Sequence, residues 1–202
     1  MNFIKLSFFA LLLLTTTCFS QSDTETDITD ITKVTILNPG LSYEKRIAKF
    51  QSLYAQIFLN TSAFIGYSSS FGFNSGIYFD PAFTIQYRYY YNSAKRETKG
   101  KRTEMNSLNY VAAIINIVYS KNRLSSEHYV ENNQRAINKF GLAWGFQRNY
   151  KKRFSLDFNL GPGILFAKAT LPGDTGPVIK NVVQFTGVGQ LNLGFWLNKR
   201  KI

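Results

Sequence analysis

Large apolar and small or polar residues alternate through the middle of the chain, from residue 139 to residue 166. The large apolar positions are Phe140, Leu142, Trp144, Phe146, Phe154, Leu156, Phe158 and Leu160, and the positions between them are mostly Gly, Ala, Ser, Asp or Asn. A basic break at residues 148–153 divides the stretch in two. A period of two predicts β-strands, because successive side chains leave opposite faces of a strand. The stretch is therefore a predicted hairpin with one large apolar face and one small polar face.

The same alternation predicts further strands on both sides of this hairpin. The strand segments are residues 33–46, 53–67, 83–91, 109–119, the two halves of the hairpin, and a last strand that ends at residues 191–197. Pro39 interrupts the first segment within Asn38-Pro39-Gly40, and proline cannot donate a hydrogen bond to a sheet. Residues 109–119 are apolar on both faces, so the alternation leaves their orientation open.

The first 20 residues have the organisation of a secretory signal peptide. Lys5 precedes an apolar run at residues 8–14, and small residues follow it up to Ser20. This run is shorter than the ~20 residues that a membrane-spanning helix needs. Cleavage after Ser20 would remove Cys18, the only cysteine, and with it any disulfide or cysteine-based metal site. Lipid attachment at Cys18 is the alternative.

The rest of the chain divides into an acidic leader and one β domain. Residues 21–32 are rich in Ser, Thr and Asp, which predicts a flexible acidic N-terminal segment, and residues 33–202 form the domain. A soluble exported sandwich would turn its apolar strand faces to a core, whereas a membrane barrel turns them to lipid. The aromatic content favours the barrel. We predict an all-β fold, a closed antiparallel up-and-down transmembrane β-barrel of eight strands, with the eighth strand near residues 31–37 because such barrels have even strand numbers.

Positive charge concentrates at one predicted end of this barrel. The formal net charge is +12, and most Lys and Arg residues lie in the breaks at residues 45–49, 95–102, 148–153 and 199–201, which an up-and-down order places together. Six aromatic residues beside these breaks are the predicted lipid-interface residues: Tyr43, Tyr89, Tyr91, Tyr150, Phe154 and Phe195. Separate basic turns on an exported chain favour outer-membrane lipids as partners and not nucleic acid. Because short turns face inward, the basic end should face the periplasm.

Several of these segments resemble small bacterial outer-membrane β-barrel proteins of the OmpA/OmpX-like class. The resemblance is carried by residues 41–46 and 87–92, by the central hairpin and by residues 191–197, and it covers nearly all of the mature chain. It implies localisation in the bacterial outer membrane, after secretion through the inner membrane with a cleaved signal peptide. It also implies insertion by the outer-membrane assembly machinery.

Four charged residues fall on the small polar faces of the predicted strands and therefore towards the interior. They are Glu44, Arg46, Arg88 and Asp157. These residues form either a proton or ion path or a paired structural network. The interior of an eight-stranded barrel is only wide enough for its own side chains, which favours the network.

The sequence favours a non-enzymatic barrel that serves envelope structure or binds surface ligands through its loops. We expect no catalytic residues, no metal and no cofactor. A lipid-modifying barrel enzyme of the lipid A deacylase type is one alternative, because Ser126 and the only histidine, His128, lie together in a polar loop. A catalytic base must however reach its nucleophile in space, which adjacency in sequence does not ensure. A narrow pore is the other alternative.

Overall fold

A computed structural model describes residues 27–68, 72–121, 124, 131, 133–173 and 176–198. The strands are β1 (Ile31–Thr35), β2 (Gly40–Ala48), β3 (Gln51–Ser68), β4 (Gly72–Tyr90), β5 (Asn109–Ser120), β6 (Arg135–Asn149), β7 (Phe154–Gly173) and β8 (Gly176–Trp196). A single short helix, α1 (Ser93–Glu97), lies between β4 and β5 in the described part of the chain. No helix among these residues is long and apolar enough to cross a membrane. The signal peptide predicted at residues 1–20 lies outside the described residues.

The strands form one antiparallel up-and-down sheet that curves into a ring. Each strand pairs with the next one along the chain. The first strand also pairs with the last, through Lys33–Trp196, Val34–Phe195 and Thr35–Gly194. The predicted all-β fold with eight antiparallel strands in meander order is confirmed, and β1 is the eighth strand expected before the Asn-Pro-Gly break.

The strands differ widely in length, so parts of the sheet extend beyond the ring. β1 has 5 residues and β2 has 9, whereas β7 has 20 and β8 has 21. β7 and β8 pair as far as Gly173–Gly176, but β6 follows β7 only as far as Ile137–Ala167. The β7–β8 hairpin therefore continues past its neighbour at the end opposite residues 150–153.

The faces of the sheet are the reverse of those of a soluble protein. On β4, Thr84, Gln86 and Arg88 point inward and are fully buried, while Tyr87 between them points outward. On β6, the Leu142 side chain is 69% exposed on the outer face. The orientation of β5, which the sequence left undecided, is now clear. Its inward side chains are Tyr110, Ala112, Ile114 and Val118, and its outward side chains are Val111, Ile115 and Tyr119. The interior of the ring is thus lined largely by polar groups, and the outer surface is largely apolar.

Glycine on the inner face of β6 makes room for a large interior side chain. A Cβ at Gly145 would lie 2.6 Å from Cζ of Tyr110, which is closer than real contacts allow. Tyr110 is fully buried and packs edge-on against Tyr90, with ring centroids 5.5 Å apart. The small residues of the central hairpin therefore set the position of an interior aromatic pair.

One end of the ring carries the basic breaks, and we call it the basic rim. It comprises the β2–β3 and β6–β7 turns, the β4–β5 connection with α1, and residues 197–198 after β8, while the basic break at residues 199–201 lies outside the described residues. The chain segment 27–30 lies across this rim: Ile28 is buried with Phe50 and Leu108, and Asn106 bonds both the N–H and the C=O of Thr29. Residues 27–32 are the described part of the segment predicted to be flexible, and β1 begins within it.

We expect the Asp30 carboxylate to make the stability of the fold depend on pH. A hydrogen bond from the Lys45 ammonium, 2.7 Å away, lowers the pKa of Asp30 below its ordinary value of 3.8. A carboxyl group with a lowered pKa in the folded state stabilises the fold above its unfolded pKa, and this stabilisation is lost as the pH falls through the folded pKa. We expect a loss of up to about 1 kcal/mol between pH 5 and pH 3, because the pair is partly exposed.

The Asp30→Asn variant tests this expectation, with Glu104→Gln, which removes an exposed carboxylate of the same rim, as the control. Unfolding free energies are compared at pH 5 and pH 3. The Asp30→Asn protein should lose this part of the pH dependence and the control should keep it. Identical profiles for Asp30→Asn and the unchanged protein would contradict the role of the Asp30–Lys45 pair.

Candidate functional site: the polar network inside the ring

Arg88 is the centre of the buried polar network. It points inward from β4 and is fully buried. Its Nη1 donates to Oδ2 of Asp157 at 2.9 Å and to Oε1 of Gln147 at 3.0 Å, and its Nε donates to Oε1 of Gln86 at 2.9 Å. One guanidinium group therefore connects β4 with β6 and β7.

Two tyrosine rings enclose the Arg88 guanidinium. Its Cζ lies 3.8 Å from the ring centroid of Tyr54 and 4.4 Å from that of Tyr110. The negative faces of the rings attract the cation, and the attraction is stronger away from water. The Tyr54 hydroxyl donates to Gln56 at 2.9 Å, so the ring is held by its own hydrogen bond. The two tyrosine side chains thus fix the position of the Arg88 charge along the axis of the ring of strands.

Asp157 and Glu44 are the two carboxylates of the network. Oδ1 of Asp157 accepts from the Tyr110 hydroxyl at 2.7 Å. Oε1 of Glu44 accepts from the hydroxyls of Ser52 at 2.6 Å and Tyr90 at 2.5 Å. Oε2 of Glu44 lies 3.9 Å from Nη1 of Arg88. Both carboxylates thus have charged and hydrogen-bonding partners, which buried carboxylates require.

Lys33 brings a second cation into the network from β1. Its Nζ lies 3.4 Å from Oδ2 of Asp157 and donates a short hydrogen bond to Oε1 of Gln147. Gln147 in turn donates to Oε2 of Glu44 at 3.2 Å. Two cations, Lys33 and Arg88, balance two carboxylates, so the cluster is neutral when all four groups are ionised.

The structure brings together three of the four charged residues that the strand faces predicted. Glu44, Arg88 and Asp157 belong to one cluster, but Arg46 does not. Arg46 follows Glu44 by two residues on β2, yet its side chain is 48% exposed and pairs with Asp27 at 2.5 Å on the basic rim. The strand continues past the filled interior here, and a register shift follows directly after Arg46.

The alternation did not single out Lys33, Gln147, Tyr54 or Tyr110. Lys33 lies two residues from Ile31, a buried position, so the period of two carried a signal for an inward lysine. Gln147 is the residue opposite Asp157 in the β6–β7 register. That neighbour relation requires the pairing of the two strands and is not contained in either strand alone.

A small cavity continues the interior on the far side of the network. It measures about 60 Å³, and its polar lining residues include Asn60, Asn116, Lys139, Asn159 and Gln190. A water molecule needs roughly 10–15 Å³ of such volume, so the cavity is large enough for a few waters. Side chains, not open space, occupy the ring at the level of Arg88.

The charged groups of the network have their partners within it. Both carboxylates and both cations are engaged with one another, and no three His, Cys, Asp or Glu side chains in the described part of the chain come together in a way that could hold a metal ion. Ser126 and His128, the candidates for hydrolysis, lie outside the described residues.

Five of the six predicted interface aromatics are exposed on the outer surface: Tyr43, Tyr91, Tyr150, Phe154 and Phe195. Tyr89 is half-buried and packs against a buried hydrophobic cluster that includes Phe50 and Leu108. Phe154 packs edge-on against Phe195 with ring centroids 6.3 Å apart. The exposed aromatics form an aromatic belt beside the basic rim. Trp144 also belongs to this belt, because its Nε1 donates to the Tyr91 hydroxyl at 2.6 Å.

The ring therefore combines an apolar outer surface, a belt of aromatics beside a basic rim, and an interior held by a neutral charge cluster. Comparison of the chain with protein-family models, with curated proteins and with solved structures finds no match in any of the three.

Proposed function

We propose that this chain is a closed transmembrane β-barrel of the bacterial outer membrane, with no enzymatic activity and with an interior filled by side chains. One observation carries the proposal: large apolar side chains such as Ile57, Leu142 and Phe185 cover the outside of the ring, while charged groups occupy its interior. In water this arrangement would expose apolar surface far beyond the patches of ordinary soluble monomers. In a bilayer the same surface faces hydrocarbon.

The aromatic belt supports the same placement. Tyr and Trp prefer the boundary between hydrocarbon and headgroups, because their rings are apolar and carry one polar atom. Tyr91 and Trp144 meet directly beside the basic rim, where the proposal puts this boundary. Cations at such a rim favour anionic lipid headgroups by about 1 kcal/mol each.

The filled interior supports an anchoring or displaying role over transport. The interior of the sheet is crossed at the level of Arg88 by its hydrogen bond to Gln147 and by its contact with the aromatic side chain of Tyr110. The connections at the end opposite the basic rim are then free to serve as surface loops for binding. We propose that this end faces outward and that the basic rim faces the periplasm, next to the assembly machinery that inserts the barrel.

Cell fractionation together with heat-dependent gel migration tests the proposal. The chain should be recovered with outer membranes, and unboiled protein should migrate differently from boiled protein because a folded barrel resists detergent. A soluble exported protein of the same expression level serves as the fractionation control. Recovery of the chain in the soluble periplasmic fraction would refute the proposal.

A further inference from the structure

A pocket beside α1 gathers five positive side chains on the basic rim. It measures about 330 Å³ and lies between α1, the start of β5 and the end of β6. Its cations are Lys95, Arg96, Lys99, Lys101 and Arg148, and none of its lining residues is acidic. We call it the α1 pocket.

Charge in the α1 pocket is not balanced by the protein in the way it is elsewhere on the basic rim. Lys45, Arg46 and Arg102 each pair with a carboxylate within 3.1 Å. Within the described residues, none of the five pocket cations has a carboxylate partner within 4.0 Å. Five like charges around one hollow repel each other, and a bound anion would relieve the repulsion.

Hydrogen bonds to backbone carbonyl oxygens and to the Asn109 side chain hold the two guanidinium groups of the pocket in place. Nε and Nη2 of Arg96 both donate to the carbonyl oxygen of Arg102, at 3.2 and 3.0 Å. Nη1 of Arg148 donates to the carbonyl oxygen of Leu108 at 2.9 Å, and its Nη2 donates to Oδ1 of Asn109 at 2.6 Å. A guanidinium carries five N–H donors, so each keeps donors that these bonds do not use.

One aromatic residue, Tyr91, lines the α1 pocket on the side of the outer surface. The Tyr91 hydroxyl accepts from Trp144, and its own proton stays available for a ligand oxygen. Tyr91 is exposed and belongs to the belt placed at the lipid headgroups. The pocket therefore opens at the level where headgroup phosphates would lie.

We propose that the α1 pocket binds a phosphate group, supplied by an anionic lipid headgroup or by free phosphate. Two oriented guanidinium groups suit a planar, paired approach to oxygens, and three flexible ammonium groups add point charge. A phosphate has enough oxygens for several of these donors at once, whereas a carboxylate has only two. The lipid source rests on the proposed membrane location, but binding of free phosphate does not.

The first measurement titrates the detergent-solubilised protein with inorganic phosphate by calorimetry. Replacing Lys95 and Lys99 with glutamine should weaken binding about tenfold, whereas the matched pair Lys151→Gln and Lys152→Gln removes two charges from the β6–β7 turn of the same rim and should not. Arg96→Lys keeps the charge but loses the fork and should also weaken binding. Equal weakening by both double variants would show a general charge effect and overturn the pocket.

The second measurement distinguishes the source of the phosphate. The protein is placed in phosphatidylcholine bilayers with or without phosphatidylglycerol, and retained lipids are counted by native mass spectrometry. Selective retention of phosphatidylglycerol that the Lys95/Lys99 variant loses and the Lys151/Lys152 variant keeps supports a headgroup ligand. Phosphate binding with this variant pattern but no lipid selectivity supports free phosphate. The proposal is overturned if neither measurement shows binding that differs between the two double variants. The fractionation result does not depend on this outcome.

Discussion

Replacing Arg88 with methionine should lower the free energy of unfolding by about 3–5 kcal/mol, the cost expected when one partner of a buried ion pair is removed. The side chain is fully buried, and its loss leaves Asp157 and Glu44 with one cation, Lys33, between them. It also removes the Arg88 donor from Oε1 of Gln86, and it leaves Oε1 of Gln147 with Lys33 alone. Methionine keeps much of the volume between the two tyrosine rings, so the effect reports charge more than packing.

Urea unfolding in detergent micelles, followed by the fluorescence of the two tryptophans, measures this cost. Lys101→Met is the matched control, because Lys101 is exposed on the basic rim and should change stability by less than ~0.5 kcal/mol. The double variant Arg88→Met, Asp157→Asn should cost less than the sum of its single variants, because the pair is removed together. Equal stability of Arg88→Met and Lys101→Met would show that the network does not stabilise the fold.

Placing arginine at Leu142 should destabilise a membrane-inserted barrel by about 2–4 kcal/mol, the cost of a cation at the middle of the hydrocarbon. Leu142 is 69% exposed on the outer face of β6, between Phe140 and Trp144. The same substitution at an exposed site of a soluble protein stays within about 0.5 kcal/mol. A lipid-facing Leu142 thus predicts a large loss of stability, and a water-facing Leu142 predicts a small change.

Ile179→Arg is the control, because Ile179 pairs with Thr170 in the part of the β7–β8 hairpin that extends beyond β6. Its cost should fall to about 0–1 kcal/mol near or outside the interface. Folded fractions in lipid vesicles are measured by heat-dependent gel migration. Equal, small effects at both positions would indicate that the outer surface of the ring does not face lipid.

The alternation of residue types predicted the positions of the strands and, where one face was polar, which face points inward. Where each face was clear, as around Trp144 and around Arg88, the structure agrees with it. On β5 both faces are apolar, and only the pairing with β4 and β6 determines that Tyr110 points inward. A strand that is apolar on both sides carries no orientation signal of its own.

The set of residues that forms the interior network was less predictable than the face of each strand that points inward. Face assignment gives the direction of a side chain but not its height along the ring axis, which depends on the register between strands. Glu44 and Arg46 share a face of β2, yet only Glu44 lies at the level of Arg88. Lys33 reaches that level because β1 pairs with β8 beside Trp196. These relations join residues far apart in sequence.

The narrow contact between β1 and β8 affects the order in which the strand pairs are expected to form. β7 and β8 pair along all 20 residues of β7, but β1 meets β8 only around Val34–Phe195. Asn198 completes this contact by bonding the N–H of Thr32 at 2.9 Å and the C=O of Asp30 at 2.7 Å, across 166 and 168 residues of chain.

The first strand therefore has no partner on this side until β8 and Asn198 have been synthesised. Local hairpins such as β3–β4 and β7–β8 can form early, whereas contacts between chain ends must wait for a large loop to close. Until then β1 and β8 present open edges on which other chains can pair. We therefore expect the pairing of β1 with β8 to form last, and the edges of both strands to need protection until it forms.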